Sequence, residues 1–229
     1  MRWLACGIIL SVILAGCKNE DKPSGTGSGI ESYFFDYVIR GEQGGLVTVK
    51  LQFHDRGAPG GAVSIAPPGG VLLDGHPVPG DSTAMSGVYY DTSFYSDEFH
   101  GTHAIEIKDA SGKVYREEIN YQPLALADSF PAVVKRSEWV IRLQNLPPEN
   151  ARMRVVLSDT SFTSSWINQR VPIENGSIRI TEAMWSRLKS GPIFMELHLE
   201  SVRRLKERTR AGGRISQTYS LKRELILED

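Results

Sequence analysis

Val47-Thr48-Val49-Lys50-Leu51-Gln52-Phe53-His54 alternates apolar and polar side chains without a break. Successive side chains on a strand point to opposite faces. Val47, Val49, Leu51 and Phe53 therefore share one face, and Thr48, Lys50, Gln52 and His54 the other. A helix would scatter both sets around its circumference. The stretch reads as a strand with one buried and one wet face, and the same period of two dominates from Tyr33 onward.

Working outward, Val71 to Leu73 runs into Asp74-Gly75, a strand followed by a tight turn. His103, Ile105 and Ile107 alternate with Ala104, Glu106 and Lys108. Asp109-Ala110-Ser111-Gly112 makes the next turn, and Val114 to Tyr121 returns. The run Gly101 to Tyr115 resembles the closing hairpin of immunoglobulin-like bacterial modules. Gln122 to Pro131 breaks the alternation and contains two prolines, which places a domain boundary there.

Beyond it the style repeats. Trp139, Ile141 and Leu143 alternate with Val140 and Arg142, and Met153, Val155 and Leu157 follow a proline loop at Asn145 to Asn150. Asn175-Gly176, between Val171-Ile173 and Ile178-Ile180, is a strong hairpin signal. Thr181 to Leu188 predicts one short helix, capped by Thr181, with Met184, Trp185 and Leu188 as its apolar group. Gly191-Pro192 ends it. A long strand then begins with Ile193, Met195, Leu197 and Leu199, turns at Arg210-Ala211-Gly212-Gly213 and returns from Ile215 to Leu227. On that return Arg223 interrupts the apolar face of Tyr219, Leu221, Leu225 and Leu227. The expected fold is all-β: two immunoglobulin-like β-sandwich domains over residues 32–122 and 123–229, with one short helix in the second.

The 229 residues carry a formal net charge of -1, so no basic excess argues for nucleic acid. The 22 glycines and 12 prolines suit a turn-rich β chain. Both cysteines, Cys6 and Cys17, lie at the extreme N-terminus. The rest of the chain therefore has no thiol for a disulfide or for a metal, and its stability must come from an apolar core.

Arg2 precedes an apolar stretch, Leu4 to Leu14, too short to cross a bilayer as a helix but suited to a signal peptide. Leu14-Ala15-Gly16-Cys17 resembles the lipobox of bacterial lipoproteins. The resemblance implies a leader over residues 1–16, removed on export, and a membrane anchor through lipid on Cys17. Residues 17–31 follow as a flexible tether rich in Pro, Ser and Gly. Within it Lys18-Asn19-Glu20-Asp21 looks like a surface-export tag of Gram-negative lipoproteins. The whole resembles the two-domain lipoproteins of Gram-negative envelopes, which places it in the cell envelope, at the outer membrane and surface-exposed.

Candidate chemistry is sparse. Tyr89, Tyr90, Phe94, Tyr95 and Phe99 crowd one loop-like stretch among Asp91, Asp97 and Glu98. Aromatic faces beside carboxylates can bind sugar rings, so these five are the candidate ligand-binding residues; the alternative is that they plug the sandwich as core. The histidines are His54, His76, His100, His103 and His198. His100 and His103 would face opposite sides of a strand, so scattered strand-end histidines are expected rather than a metal centre. Arg203, Arg204, Lys206, Arg208, Arg210 and Arg214, diluted by Glu200 and Glu207, form a basic hairpin tip. It could meet phosphate or acidic polysaccharide, or be a solvated edge charged against strand pairing. Asp81-Ser82-Thr83 resembles a short O-glycosylation acceptor of some Gram-negative envelopes.

No nucleophile elbow, zinc-protease motif, phosphate loop or C-x-x-C is present, and adjacent pairs such as Asp97-Glu98 and Glu117-Glu118 point to opposite faces of a strand. The expectation is a non-catalytic binding or assembly module without a cofactor or catalytic residues, acting on another envelope protein or a glycan. Two alternatives remain open: a glycan-binding lipoprotein of a polysaccharide-uptake system, and a hydrolase with converging carboxylates at the domain junction.

Overall fold

The computed structural model describes residues 29–147, 150–160 and 166–229. The leader, Cys17, Lys18-Asn19-Glu20-Asp21 and the tether through residue 28 lie outside the described residues, as does Pro148. In chain order the first half contains β1 (Tyr33–Glu42), β2 (Leu46–Asp55), β3 (Gly70–Leu73), β4 (His76–Pro77), β5 (Gly80–Thr83), β6 (Gly87–Tyr95), β7 (Gly101–Lys108) and β8 (Val114–Tyr121). The second contains β9 (Ala125–Leu126), β10 (Val133–Lys135), β11 (Trp139–Gln144), β12 (Arg152–Asp159), β13 (Ile167–Val171), β14 (Ser177–Ile180), α1 (Glu182–Trp185), β15 (Gly191–Thr209) and β16 (Gly212–Glu228).

The fold is all-β, with sandwich-like sheets and one short helix in the second half. One nine-stranded sheet runs through both halves in the order β13-β12-β15-β16-β1-β2-β6-β5, with β10 branching from β16. The remaining strands form a four-stranded sheet, β4-β3-β7-β8, and a three-stranded one, β14-β11-β9. The alternation read from the sequence decides what lies between the layers. Phe35, Tyr37 and Ile39 of β1 and Val47, Val49, Leu51 and Phe53 of β2 are buried. So are Ile105, Ile107 and Ile119 of the four-stranded sheet. Phe35 meets Phe53 and Tyr115 edge-on at 5.1 and 5.3 Å. Each such side chain contributes about 2 kcal/mol by leaving water. In the second half Met153, Val155, Leu157, Ile193, Met195 and Leu197 line the large sheet, and Ile141, Ile178, Ile180 and Trp185 are buried with them.

The turn chemistry matches the backbone it requires. Asp74-Gly75 and Asn175-Gly176 both hold positive φ at the two central positions (51° and 78°, 48° and 73°). That is the conformation a two-residue hairpin demands and the reason those residue pairs signal it. The helix is shorter than the expected Thr181 to Leu188. Thr181 occupies the N-cap position in an extended conformation, yet its side chain makes no capping bond. Order comes from the other end: Arg136 donates to the carbonyls of Trp185 (2.7 Å) and Leu188 (3.0 Å), satisfying groups the helix leaves orphaned. The Trp185 indole donates to the Ser137 carbonyl at 2.9 Å.

One arm of the basic hairpin is an edge and the other is not: among the described residues β15 beyond Glu200, which carries Arg203, Arg204, Lys206 and Arg208, pairs with β16 alone. β16 pairs with β15 on one side and, in parallel, with β1 on the other, from Phe35↔Gly213 to Glu42↔Ser220. The far part of the β15–β16 hairpin thus lies against the first half of the chain. Two of its six basic side chains are neutralised there: Arg203 donates to the Glu117 carboxylate at 2.6 Å, and Arg214 makes a two-pronged contact with Asp36 at 3.0 and 2.8 Å. Glu117 is buried on β8, with its second oxygen accepting from the Lys206 backbone N–H at 2.7 Å. Thr209 donates to the Tyr33 carbonyl at 2.5 Å. Arg223, the intruder on an apolar face, escapes sideways to Gln43 and lies over the Phe130 ring at 5.7 Å.

Candidate binding trough

The outer face of the nine-stranded sheet is set by the same alternation that fills the core. Where β1 buries Tyr37 and Ile39, it turns Arg40 and Glu42 outward. Where β12 buries Met153 and Val155, it exposes Arg152 and Arg154. Strand register then joins these positions into rows. One row runs Thr48, Arg40, Thr218, Glu200, Arg152 across β2, β1, β16, β15 and β12. The next runs Glu42, Ser220, His198, Arg154, Arg170 from β1 to β13. A third holds Lys222, Glu196, Val156 and Asn168. Neighbours within a row stand about 5 Å apart and successive rows about 7 Å.

These rows line an open trough of about 990 Å³, with Trp166 at its β13 end and Leu46 at its β2 end. Trp166 is 64% exposed, unusual for the largest apolar side chain. The carboxylates of the floor are partly engaged: Glu196 takes His198 at 3.1 Å and Lys222 at 3.4 Å. The guanidiniums are not. Among the described residues Arg40, Arg152, Arg154 and Arg170 form no ion pair, although Arg214, Arg203, Arg142 and Arg179 all do. Arg154 and Arg170 are direct cross-strand partners, and like charges so placed repel. Thr48, Thr218, Ser220 and Asn168 add hydroxyl and amide groups between them. Glu196 and Glu200 stand four residues apart on one strand, about 13 Å. Paired glycosidase carboxylates stand closer, at about 5 to 9.5 Å.

The five aromatics are divided by the strand they occupy. Gly87–Tyr95 is strand β6, paired on both sides by β2 and β5, rather than the loop expected for this stretch. Backbone bonding to two neighbours outweighs the loop-like composition. Tyr90 and Phe99 are buried, and Phe94 is half-buried against Phe99 at 4.9 Å, so these three serve the core. The Tyr90 hydroxyl accepts from the Ile65 N–H at 2.9 Å, and burial raises its pKa. Tyr89 faces outward but is covered by the Lys50 ammonium at 4.3 Å. Its hydroxyl donates to Asp81 at 3.0 Å, a bond that raises its pKa. Tyr95, 64% exposed, is the strand partner of Leu46 and lies on β6, one strand outside the residues that line the trough.

The histidines are not brought together. His54 contacts the Gly60 carbonyl, His100 the Asp97 carbonyl and His103 the Asp74 carboxylate at 2.7 Å. Among the described residues no three metal-ligating side chains converge. Asp81, Ser82 and Thr83 are exposed on the edge strand β5.

No family model matches the sequence, and no curated protein matches it. Solved structures do. The chain is similar to the crystal structure of DIP-gamma IG1+IG2, at 12% identity over 86% of this chain and 95% of that one, with a TM-score of 0.23. It is also similar to the Bacteroides ovatus mixed-linkage glucan utilization locus SGBP-B in complex with mixed-linkage heptasaccharide. There the identity is 15% over 91% of this chain and 46% of that one, and the TM-score is 0.23. A tetra-tandem repeat in the extending region of a large adhesion protein matches at 11% over 83% and 49%, with a TM-score of 0.25. Scores this low carry no inference about a ligand. The trough is read from its own residues.

Proposed function

We propose that this chain is a lipid-anchored envelope protein whose folded body is a non-catalytic binding module, engaging its partner through the outer face of the nine-stranded sheet. The anchor rests on Leu14-Ala15-Gly16-Cys17. Acyl chains on Cys17 would hold the body at the outer membrane, with Lys18-Asn19-Glu20-Asp21 directing it to the cell surface, where it would meet another envelope protein or a glycan. One observation carries the binding reading: Arg40, Arg152, Arg154 and Arg170 share a concave face, without a carboxylate partner among the described residues. Placing like charges on facing strands costs stability, and a ligand that neutralises them recovers it. The donors sit on paired strands, so binding has side chains but not backbone to order.

Two measurements test the two parts. Cell fractionation should find the wild-type protein in the membrane and the Cys17→Ala protein released; membrane retention of the variant would contradict the anchor. The full-length protein in detergent micelles, immobilised and exposed to an extract of envelope glycans and proteins, should retain material that Arg154→Glu/Arg170→Glu does not. Equal retention by both would contradict the trough as the binding face.

A further inference from the structure

We infer that the ligand of this trough is an acidic polysaccharide, a linear glycan bearing carboxylates at intervals, laid across the strands. The inference rests on the binding-module reading above and adds the ligand's class. Three features of the face lead to it.

The first is the spread of positive charge. Arg170 on β13 and Arg40 on β1 are four strand spacings apart in the sheet order. At about 4.8 Å per strand that is about 19 Å. A single phosphate or a small acid would use one guanidinium or two. Charges distributed over this length fit an extended polymer that presents a carboxylate repeatedly, each able to take a forked contact from a guanidinium.

The second is the position of the exposed aromatics. Trp166 and Tyr95, each 64% exposed, flank the arginine rows from opposite ends. Trp166 lies just before β13, and Tyr95 lies on β6, next to β2. Both rings present an apolar face beside a polar edge, the combination that stacks on a sugar ring while its hydroxyls stay wet. A polypeptide of acidic residues would need the cations but not two solvent-facing rings at the ends of the row.

The third is the mixture on the floor. Glu42 and Glu200 stand in the same rows as the arginines, with Thr48, Thr218 and Ser220 between. A DNA strand carries a phosphate at every link and no free hydroxyl between them, so those carboxylates would meet no donor on its backbone. A glycan carries neutral hydroxyls between its acidic groups. Glutamate and hydroxyl side chains can accept from or donate to them where no guanidinium is present.

Calorimetric titration of the full-length protein in detergent micelles tests this with four probes: polygalacturonate, its fully methyl-esterified form, a neutral β-glucan, and poly-L-glutamate. Polygalacturonate should bind, and methyl esterification should abolish binding while leaving the sugar backbone intact. Arg154→Ala/Arg170→Ala should weaken polygalacturonate by about tenfold or more, the effect of losing charge-assisted bonds. Trp166→Ala should weaken it by about fivefold, as loss of a stacking face does. Binding of the neutral glucan but not of polygalacturonate would overturn the acidic class and leave the binding module standing. Poly-L-glutamate binding as tightly, with Trp166→Ala unchanged, would show an acidic-protein site and overturn the glycan. Silence toward all four probes, while the envelope extract is still retained, would overturn this inference alone. Silence toward both probes and extract would overturn the underlying reading too.

Discussion

On the far part of the β15–β16 hairpin, Arg203 and Arg214 each face a carboxylate from the first half of the chain. On β12 and β13, Arg152, Arg154 and Arg170 form no ion pair among the described residues, although Glu200 of β15 stands opposite Arg152. Both groups sit on regular strands of one sheet. They differ in what the neighbouring strand supplies. Arg203 and Arg214 meet Glu117 and Asp36, so the charge of these two is used up in holding the two halves together. The trough arginines stand opposite Glu200, His198, a hydroxyl row and one another and form no ion pair among the described residues, so their charge remains available to a ligand. Residue composition does not distinguish the groups; register does.

The sharpest way to break this contrast is to remove the buried acceptor. Glu117→Gln leaves Arg203 without its charged partner and weakens the contact to the Lys206 N–H. Loss of about 3 kcal/mol is expected from disrupting a buried pair. Denaturant unfolding should show it as a lower midpoint. A midpoint equal to wild type would mean that the hairpin does not depend on this pair. Arg214→Ala breaks an ion pair whose arginine is half exposed and should cost about 0.5 kcal/mol. The trough double variant Arg154→Ala/Arg170→Ala should change stability by less than about 0.5 kcal/mol, and in the stabilising direction, because a repulsive cross-strand pair is removed. A loss as large as that of Glu117→Gln would place these arginines with the structural group and erase the distinction.

Acid sharpens the contrast further, with the smallest effect. The Lys113 ammonium, with the Tyr115 hydroxyl, holds the Glu31 carboxyl below its usual range, and the Ser111 hydroxyl does the same for Asp109. Arg142 lowers Asp128, and Ser190 with Arg136 lowers Asp229. A carboxyl whose folded-state pKa is depressed contributes stability above its unfolded pKa, near 4, and loses it as pH falls through the lower folded value. The melting temperature should therefore fall below about pH 4. These groups are exposed, so the decline should be shallow, and the Arg154→Ala/Arg170→Ala protein should follow the same curve. A profile that differs between the two proteins in this window would link the trough arginines to structural carboxylates.

Much of the architecture was legible because the strands are amphipathic. Alternation from Val47 to His54, the Asp74-Gly75 and Asn175-Gly176 turns and the long C-terminal hairpin all follow from side-chain period and turn chemistry. The helix was visible through Met184, Trp185 and Leu188. Its length was not, since Arg136 rather than Thr181 holds it. Glu117 also carried a signal: it shares strand parity with Tyr115, Ile119 and Tyr121, which marks a charge on a buried face. The partner on β15 lies 86 residues away and could not be named from spacing. The same limit hid the trough. Arg152 and Arg154 alternate with Met153 and Val155, so their outward direction was readable. That β1 would lie beside β16, and so put Arg40 on the same face, depends on a parallel pairing between the two ends of the chain. The aromatic stretch misled for a related reason. Ser, Asp and Thr between rings look loop-like, but β2 and β5 pair with them and divide the rings between core and surface.

The measurement closest to the central claim is the salt dependence of polygalacturonate binding by the full-length protein and by Arg154→Ala/Arg170→Ala. Free guanidiniums that meet carboxylates at an open surface are screened by salt. Affinity of the wild-type protein should fall steeply with ionic strength, and the variant should start weaker and fall less. Two parallel lines of equal slope would mean that these arginines never touch the ligand, and the account of the trough would be wrong.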